Sequence, residues 1–286
     1  MSYPAFSVDV EFVWGFQARI VGLSKTSPSF HYPPPTTLLG ALSCSIARDL
    51  RLGEKSGSDL ITQLGRNILA IGVRPINCVP LVYEDLSRII AVKMGEKLYP
   101  RPDNLAGSYD SPARGKTSMV SLNGDAPRLR FSLVLKSNSI EFEGEKVAIK
   151  EEHFWKIHRL GSKESRVSVV DVKRLEAESH QGRGISYYGF PVFKDVKPIE
   201  EIMGKWTYEV YINPRKIGAR LNPQKEEWKG PFPDYMENAI PYRVPIMVSK
   251  ANPPKFLVEA KDEASLYKVG DEILVGWAYD RTGNKT

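Results

Sequence analysis

Apolar and polar residues alternate near the start of the chain. The apolar positions of this run are Phe6, Val8, Val10, Phe12 and Trp14, and the residues between them include Ser7, Asp9 and Glu11. A period of two is typical of a β-strand that buries one face. The pattern therefore predicts a first strand over residues 5–14.

The period changes to that of a helix after three consecutive prolines at positions 33–35. Prolines keep the incoming backbone extended, so we expect the helix to begin near residue 36, where the hydroxyl of Thr36 or Thr37 can cap the first turn. Apolar residues then recur at helical spacing, at Leu38, Leu39, Leu42, Ile46 and Leu50. The pattern predicts a helix over residues 36–52 that is ended by Gly53.

Further apolar runs continue this β-α start. They predict a short helix over 59–67, strands over 68–73, 79–92 and 129–136, a second short helix over 149–157, and a strand that includes Val167, Val169 and Val172. Residues 93–127 have no sustained period and are rich in Gly, Pro, Asn, Asp and Ser, which favours a long insertion. The order is β-α-β, insertion, β-α-β, which is the plan of ferredoxin-like and RNA-recognition-motif (RRM) domains.

The pattern is different beyond residue 175. Short β-like runs at 207–212, 242–248, 256–260 and 272–278 are separated by many prolines, which favours edge strands and loops. We therefore predict an α+β protein. Residues 1–175 form a ferredoxin-like or RRM-like domain with an insertion at about 93–127, and residues 176–286 form a β-rich C-terminal unit.

Composition places the chain among soluble globular proteins. Hydrophobic residues make up 42% and charged residues 26% of the 286 positions. No apolar run approaches the roughly 18 residues of a membrane span, and the first ten residues lack the features of a signal peptide, so we expect a cytoplasmic protein. Cys44 and Cys78 lie in apolar surroundings without a Cys-x-x-Cys partner, which predicts buried free thiols rather than a zinc site.

The basic charge is concentrated in one stretch. The chain has a formal net charge of +6, and residues 153–174 hold six Lys and Arg residues against two acids, a local charge of +4. The cations are Lys156, Arg159, Lys163, Arg166, Lys173 and Arg174. Such a cluster is compatible with a nucleic-acid partner.

Two segments are candidate phosphate-binding sites. At the start of the predicted helix, free backbone amides next to His31 and Tyr32 could face a phosphate, although a well-capped core helix explains the same sequence. At Gly161-Ser162-Lys163, glycine would let a phosphate approach while Ser162, Lys163 and Arg166 supply donors and charge. A tight turn between a helix and a strand explains the same glycine.

Both segments resemble one known family. The run Pro33-Pro34-Pro35-Thr36-Thr37-Leu38-Leu39-Gly40-Ala41-Leu42, after a strand and a long polar loop, resembles the amino-terminal signature of the CRISPR-associated Cas five (Cas5) family of the RAMP superfamily, in its archaeal type I-A branch. Residues 159–172 resemble the glycine-rich turn and strand of that family. The resemblance covers residues 5–175, and beyond them only the composition is similar.

The resemblance implies a fold and a function. Residues 93–127 would project from the domain as a thumb. The protein would be a non-catalytic, RNA-binding subunit of a type I-A Cascade-like antiviral complex that holds the 5′ handle of the CRISPR RNA and caps the Cas seven backbone. The implied partners are the CRISPR RNA, the Cas seven subunits, a large Cascade subunit and a target DNA strand, and no cofactor or metal is expected.

The expected RNA-binding residues join both segments with the basic loops around them. They are Arg19, Lys25, His31, Tyr32, Thr36, Thr37, Arg114, Lys116, His158, Arg159, Gly161, Ser162, Lys163 and Arg166.

Two alternatives stay open. The first is a metal-independent endoribonuclease that processes precursor CRISPR RNA, because some members of the resembled family use a Tyr, a Lys and a His for this reaction. His31, Tyr32 and Lys116 would then be the catalytic residues. No Lys-His pair follows the insertion, which favours a protein without catalysis. The second alternative is a scaffold that contacts only protein.

Overall fold

The computed structural model describes residues 2–18, 29–86, 92–94, 97–99, 113–193, 196–217, 238–260 and 264–279. Three α-helices lie within these ranges: α1 (Pro35–Asp49), α2 (Glu54–Asn67) and α3 (Glu151–Trp155). A short 3-10 helix covers Pro214–Lys216. The strands, in chain order, are β1 (Ser2–Phe12), β2 (Gly15–Phe16), β3 (Ile68–Pro75), β4 (Cys78–Leu86), β5 (Val92–Met94), β6 (Lys97–Tyr99), β7 (Ala113–Ser121), β8 (Arg128–Leu135), β9 (Ser139–Phe142), β10 (Glu145–Ala148), β11 (Val167–His180), β12 (Arg183–Ser186), β13 (Phe190–Pro191), β14 (Val196–Met203), β15 (Lys205–Ile212), β16 (Ala239–Ile246), β17 (Lys255–Ala260), β18 (Ala264–Val269) and β19 (Glu272–Trp277).

A six-stranded sheet with the order β19-β18-β11-β1-β8-β3 organises the fold. Neighbouring strands in it pair antiparallel. Helices α1 and α2 connect β1 to β3, and α3 connects β8 to β11, so the four strands β11-β1-β8-β3 hold two interlocked β-α-β connections. The predicted α+β class is confirmed.

Both faces of β1 are buried, which corrects the expected single buried face. Phe6, Val8 and Val10 pack in the same core cluster as Leu38 and Leu39 of α1. Ala5, on the opposite face, belongs to a second cluster with Tyr188 and Tyr267. The periodicity predicted the strand correctly but could not reveal that residues from the C-terminal part cover its second face.

Helix α1 begins without the predicted threonine cap. Pro34 is its N-cap residue, no side chain caps the helix, and the backbone N–H of Thr37 donates to the carbonyl oxygen of Pro34 at 2.8 Å. Pro35 occupies the first helical position, where the missing N–H of proline costs no hydrogen bond. The helix ends at Asp49, and α2 begins at Glu54, which is earlier than predicted.

Part of the predicted irregular insertion at 93–127 is regular. Strand β7 pairs with β4 from Cys78↔Ser121 to Leu86↔Ala113. The side chains of Thr117 and Met119 are buried, whereas Lys116 and Ser118 are half-buried and Val120 is exposed. Buried and more exposed positions alternate along β7 as in other strands, but most of its buried residues are small or polar. The sequence of 113–121 therefore shows no apolar alternation, and the strand was not predicted.

The C-terminal strands extend the main sheet. The predicted boundary between residues 175 and 176 lies inside β11, and β18 pairs with β11 through Ala177↔Val269. Strand β19 lies so close to β3 that a Cβ atom on Gly276 would be 2.2 Å from the carbonyl oxygen of Leu69. The division into two folding units stays a prediction.

Three further observations concern the cysteines, membrane spans and metal sites. Both cysteines are free thiols, but only Cys78 is buried, whereas Cys44 is exposed on α1. Within the described ranges, the structure has no helix that is long and apolar enough to span a membrane. Among the same residues, no three His, Cys, Asp or Glu side chains converge as a metal site.

Candidate nucleic-acid interface

A surface groove of about 290 Å³ lies between α1 and the segment that follows α3. The groove is lined by Thr37, Gly40, Ala41, Cys44, Ser45, Arg48, Lys156, Ile157, His158, Arg159 and Gly161. We refer to it as the α1 groove. It lies between the two candidate phosphate-binding segments of the sequence. One wall is α1, which follows the three prolines, and the other wall leads into the turn at Gly161.

The helical wall of the α1 groove is one stripe of α1. Thr37, Ala41, Cys44 and Arg48 are four, three and four residues apart, so they lie on the same face of the helix. The opposite face carries Leu38, Leu39, Leu42 and Ile46, which are completely buried. Small side chains along the stripe let a ligand approach the helix closely, and Arg48 places a cation at its end.

The α1 groove is basic. Its lining includes Arg48, Lys156 and Arg159 together with His158, and none of the described residues that line it is acidic. Thr37 and Ser45 add hydroxyl groups. Cations and hydroxyls around a floor of small residues are suited to a phosphodiester backbone.

One of the lining cations, Lys156, forms an ion pair with α1. The Nζ atom of Lys156 lies 2.6 Å from Oδ1 and 2.5 Å from Oδ2 of Asp49, the last residue of α1. The hydrogen bond from Lys156 is the main cause that lowers the pKa of Asp49. The pair connects the two walls of the groove.

His153 also contacts Asp49 of this pair, and its side chain is buried. Its Nδ1 accepts the backbone N–H of Lys150 at 3.2 Å, and its Nε2 lies 3.4 Å from Oδ2 of Asp49. Burial lowers the pKa of His153, more than the charge of Asp49 raises it. A neutral imidazole with its proton on Nε2, facing Asp49, fits both contacts.

The glycine turn is held by the segment after β2. Gly161 has a φ of +107°, and the N–H of Ser162 donates to the carbonyl oxygen of Gln17 at 3.1 Å. The N–H of Gln17 in turn donates to Oγ of Ser165 at 2.9 Å. Gly161 and the backbone amide of Ser162 therefore have structural roles. Because the Ser162 N–H is already donated to Gln17, this amide is not available to a phosphate, which corrects the expectation for it.

Cations around the same turn remain on the surface. The side chain of Lys163 is 85% exposed, and its ammonium lies 3.8 Å from Glu164. Arg166 is also exposed. The pKa of Glu164 is lowered, first by a hydrogen bond with Ser162 and further by the charges of Lys163 and Lys116. Lys116 of β7 is therefore close enough to Glu164 for its charge to contribute to this shift in pKa.

The segment before α1 is mostly buried, which corrects part of the predicted site. Tyr32 is completely buried, and burial raises the pKa of its phenol, so Tyr32 lies in the core and not at a phosphate. His31 is partly exposed, but its backbone N–H donates to Oε1 of Glu209 at 2.7 Å and its Nδ1 lies 2.9 Å from the same oxygen. Glu209 also accepts a hydrogen bond from Tyr211.

The helix start offers few donors to an anion. Pro33, Pro34 and Pro35 have no N–H, and the N–H of Thr37 is donated to Pro34, so at most the amide of Thr36 is available among residues 33–37. The idea that helix-start amides bind phosphate is therefore weakened. What remains of the motif is the stripe of α1 that faces the groove.

The structure places the predicted residues in different environments, and His31, which pairs with Glu209, is not part of the groove lining. Thr37, His158, Arg159 and Gly161 line the α1 groove, and Ser162, Lys163, Arg166 and Lys116 lie at or near the adjoining turn. Tyr32 is in the core, and Thr36 is half-buried at the helix start. Arg19, Lys25 and the side chain of Arg114 lie outside the described residues.

Sequence reasoning missed Arg48 and Lys156 as lining residues. Arg48 follows Thr37, Ala41 and Cys44 at helical spacing, and this spacing was the one signal that could have placed it on the exposed stripe. Lys156 belongs to the basic stretch, but no spacing or motif in the sequence indicates that it lines a groove.

The chain is similar to CRISPR-associated proteins from Saccharolobus solfataricus and Archaeoglobus fulgidus. It is 31% identical to the CRISPR system aCascade subunit Cas5 1 of Saccharolobus solfataricus, covering 92% of this chain and 95% of the relative. It is 25% identical to the CRISPR-associated protein Cas5 2 of the same organism, over 92% of this chain and 91% of that relative. A crystal structure of a CRISPR protein from Archaeoglobus fulgidus is similar, with a TM-score of 0.72 and 42% identity, and the match covers 96% of this chain and all of that one.

No protein-family model matches the chain. The identity to the aCascade subunit nevertheless extends over nearly the full length of both proteins. The resemblance to the Cas five family is therefore confirmed, and the similarity extends over 92% of this chain. This protein belongs to the CRISPR-associated Cas five (Cas5) family.

Proposed function

We propose that this protein is a non-catalytic subunit of a type I-A Cascade-like antiviral complex in the archaeal cytoplasm, and that the α1 groove holds the 5′ handle of the CRISPR RNA. The relative from Saccharolobus is named as an aCascade subunit, which supports the assignment to such a complex. The Cas seven backbone, a large subunit and a target DNA strand are the partners that follow from this assignment.

One observation carries the RNA-binding role. The two sequence segments that resemble the family come together as the two walls of one groove, and that groove has Arg48, Lys156 and Arg159 in its lining without an acidic side chain among the described residues. A groove with several cations and no bulky floor suits a single-stranded polyanion, because each phosphate can meet a cation while the chain lies against the helix.

The fold is compatible with this role. The β11-β1-β8-β3 order supports a ferredoxin-like or RRM-like RAMP domain, and the β4-β7 ribbon is the proposed base of the thumb. The second face of the sheet, which RRM domains use to stack bases, is covered by Tyr188 and Tyr267. RNA is therefore proposed to bind on the helical side.

The proposal includes the absence of nuclease activity. A nuclease that uses His31, Tyr32 and Lys116 needs the Tyr32 phenol near the scissile phosphate, and this phenol is buried with a raised pKa. The pair of His31 with Glu209 would orient an imidazole as a base, so His31 is the residue on which an endoribonuclease alternative would depend.

A binding assay tests the proposal. Purified protein is titrated with RNA that carries the repeat-derived 5′ handle and with a scrambled RNA of equal length. Arg159→Ala should weaken handle binding by about tenfold or more, the loss of a charge-assisted contact. Lys173→Ala is the matched control, because Lys173 is an exposed cation that pairs with Asp171 on β11. Equal affinity of Arg159→Ala and the wild type would contradict the proposal.

The same samples test for catalysis. The RNA is recovered after incubation with and without a chelator and is analysed for its length. Intact RNA is expected. A discrete cut that is lost in His31→Ala would instead establish the endoribonuclease alternative.

A further inference from the structure

One cation of the α1 groove is already neutralised. The ammonium of Lys156 contacts both carboxylate oxygens of Asp49, at 2.6 and 2.5 Å. Asp49 itself does not belong to the lining of the groove. A phosphate that enters the groove therefore meets Lys156 as one half of a neutral pair.

The acid of this pair has a second contact, whereas its cation has the longer and more flexible side chain. Asp49 is part of α1, and its Oδ2 lies 3.4 Å from Nε2 of the buried His153. Lys156 follows the end of α3, its side chain is 49% exposed, and its ammonium sits on a flexible four-carbon stem. The Lys156 ammonium can therefore reach a phosphate in the groove, whereas the shorter Asp49 side chain is outside the lining and keeps its contact with His153.

Asp49 also stands at an unfavourable position for helix stability. A carboxylate in the last turn of a helix faces the negative end of the helix dipole. The helix dipole therefore does not stabilise the Asp49 carboxylate. The contacts with Lys156 and His153 stabilise it instead.

We propose that Asp49 is a selectivity residue of the α1 groove: it withholds the ammonium of Lys156 from single-stranded polyanions in general. A strand that fits Arg48 and Arg159 poorly gains nothing from Lys156 and dissociates. A strand that fits them well holds a phosphate near Lys156 long enough to compete with Asp49. This inference rests on the proposed function, since it assumes that RNA occupies the groove.

Asp49→Asn tests the inference, because it keeps the size of the side chain and removes its charge. Binding of scrambled RNA should become about two- to fivefold tighter, the range expected for releasing one exposed ion pair. The slope of log Kd against log salt for that RNA should become steeper by about 0.7, since one more cation then meets a phosphate. Asp171→Asn is the matched control, because it removes the same charge from the exposed pair with Lys173, whose atoms are 3.2 Å apart.

A double-mutant cycle shows whether Asp49 acts through Lys156. Lys156→Ala should weaken RNA binding more in the Asp49→Asn background than in the wild type. Equal losses in the two backgrounds, weaker binding by Asp49→Asn, or a gain of the same size from Asp171→Asn would each overturn the inference. Asp49→Ser, a second uncharged variant, repeats the test if the asparagine lowers the thermal midpoint.

Arg159→Ala separates this inference from the proposed function. If Arg159→Ala leaves RNA affinity unchanged, RNA does not occupy the α1 groove and the proposed function fails. If Arg159→Ala weakens binding while Asp49→Asn has no effect, the groove binds RNA and only the role of Asp49 is wrong.

Discussion

Gly161 lies directly against the backbone of Gln17. A Cβ atom at position 161 would be 2.6 Å from the Gln17 carbonyl oxygen, a distance that requires one of the two segments to move. The same oxygen accepts the N–H of Ser162. The basic turn beside the α1 groove is thus held in place by a residue that follows β2, and only glycine permits the contact.

We expect Gly161→Ala to destabilise the protein. The positive φ alone costs about 1–3 kcal/mol for a residue with a side chain, and the contact with Gln17 adds to this cost. Urea unfolding measures the change. Gly144→Ala is the matched control, because Gly144 has a φ of +83° but no atom within 4 Å of an added Cβ. Equal losses in the two variants would show that the contact with Gln17 contributes nothing.

The buried His153 should make stability depend on pH. Burial lowers its pKa in the folded state, so the unfolded state binds more protons between that lowered pKa and the ordinary value of about 6.5. Stability is therefore complete above about pH 6.5 and decreases as the pH falls through this window. Protonation would also remove the acceptor of the Lys150 N–H.

A comparison with His153→Gln measures this effect. Glutamine can accept the Lys150 N–H and donate to Asp49 but does not titrate. The thermal midpoint of the wild type should fall more steeply than that of His153→Gln as the pH is lowered from about 7.5 to about 5.5, roughly one unit on each side of the ordinary pKa of histidine. Parallel curves would mean that His153 does not contribute.

The ion pair between Asp9 and Arg130 should be the most sensitive one in the main sheet. Oδ1 of Asp9 lies 2.6 Å from Nε of Arg130, Oδ2 lies 2.8 Å from its Nη2, and the Asp9 side chain is only 6% exposed. Arg130→Ala leaves a buried carboxylate without this partner, which should cost about 3–5 kcal/mol of unfolding free energy.

Two further variants make this prediction specific. Arg128→Ala breaks a more exposed pair with Glu11 on the same two strands, and its cost should stay within about 1 kcal/mol. The double variant Asp9→Ala with Arg130→Ala should lose less than the sum of the single losses, because no charge is then left buried. Additive losses of unfolding free energy would show that Asp9 and Arg130 do not stabilise the protein as a pair.

Strong apolar periods made much of the fold predictable. The alternation of Phe6, Val8 and Val10 predicted β1, and the helical spacing of Leu38, Leu42 and Ile46 predicted α1. In both cases a large apolar face had to be buried, so the period of the sequence follows the period of the element. Element ends shifted by a few residues because they depend on caps and neighbours.

Long-range contacts set the features that were not predictable. The burial of Asp9 depends on Arg130, the role of Gly161 depends on Gln17, and the position of His31 depends on Glu209 of β15. Each pair is distant in sequence, so no local pattern links its two members. The α1 groove was predictable in part, because its basic segment was visible, whereas its small-residue wall resembled an ordinary helix surface.

The affinity of the protein for RNA should depend strongly on salt. If RNA lies in the α1 groove, each phosphate that meets a cation releases counterions, so log affinity should fall linearly with log salt with a slope of about 0.7 per contact. Arg48→Ala and Arg159→Ala each remove one lining cation, so each should make the slope shallower by about 0.7 as well as weaken binding. Lys173→Ala removes the same charge from β11 and should leave the slope unchanged. A slope that changes equally in all three variants would mean that RNA responds to the overall charge of the protein and not to the groove.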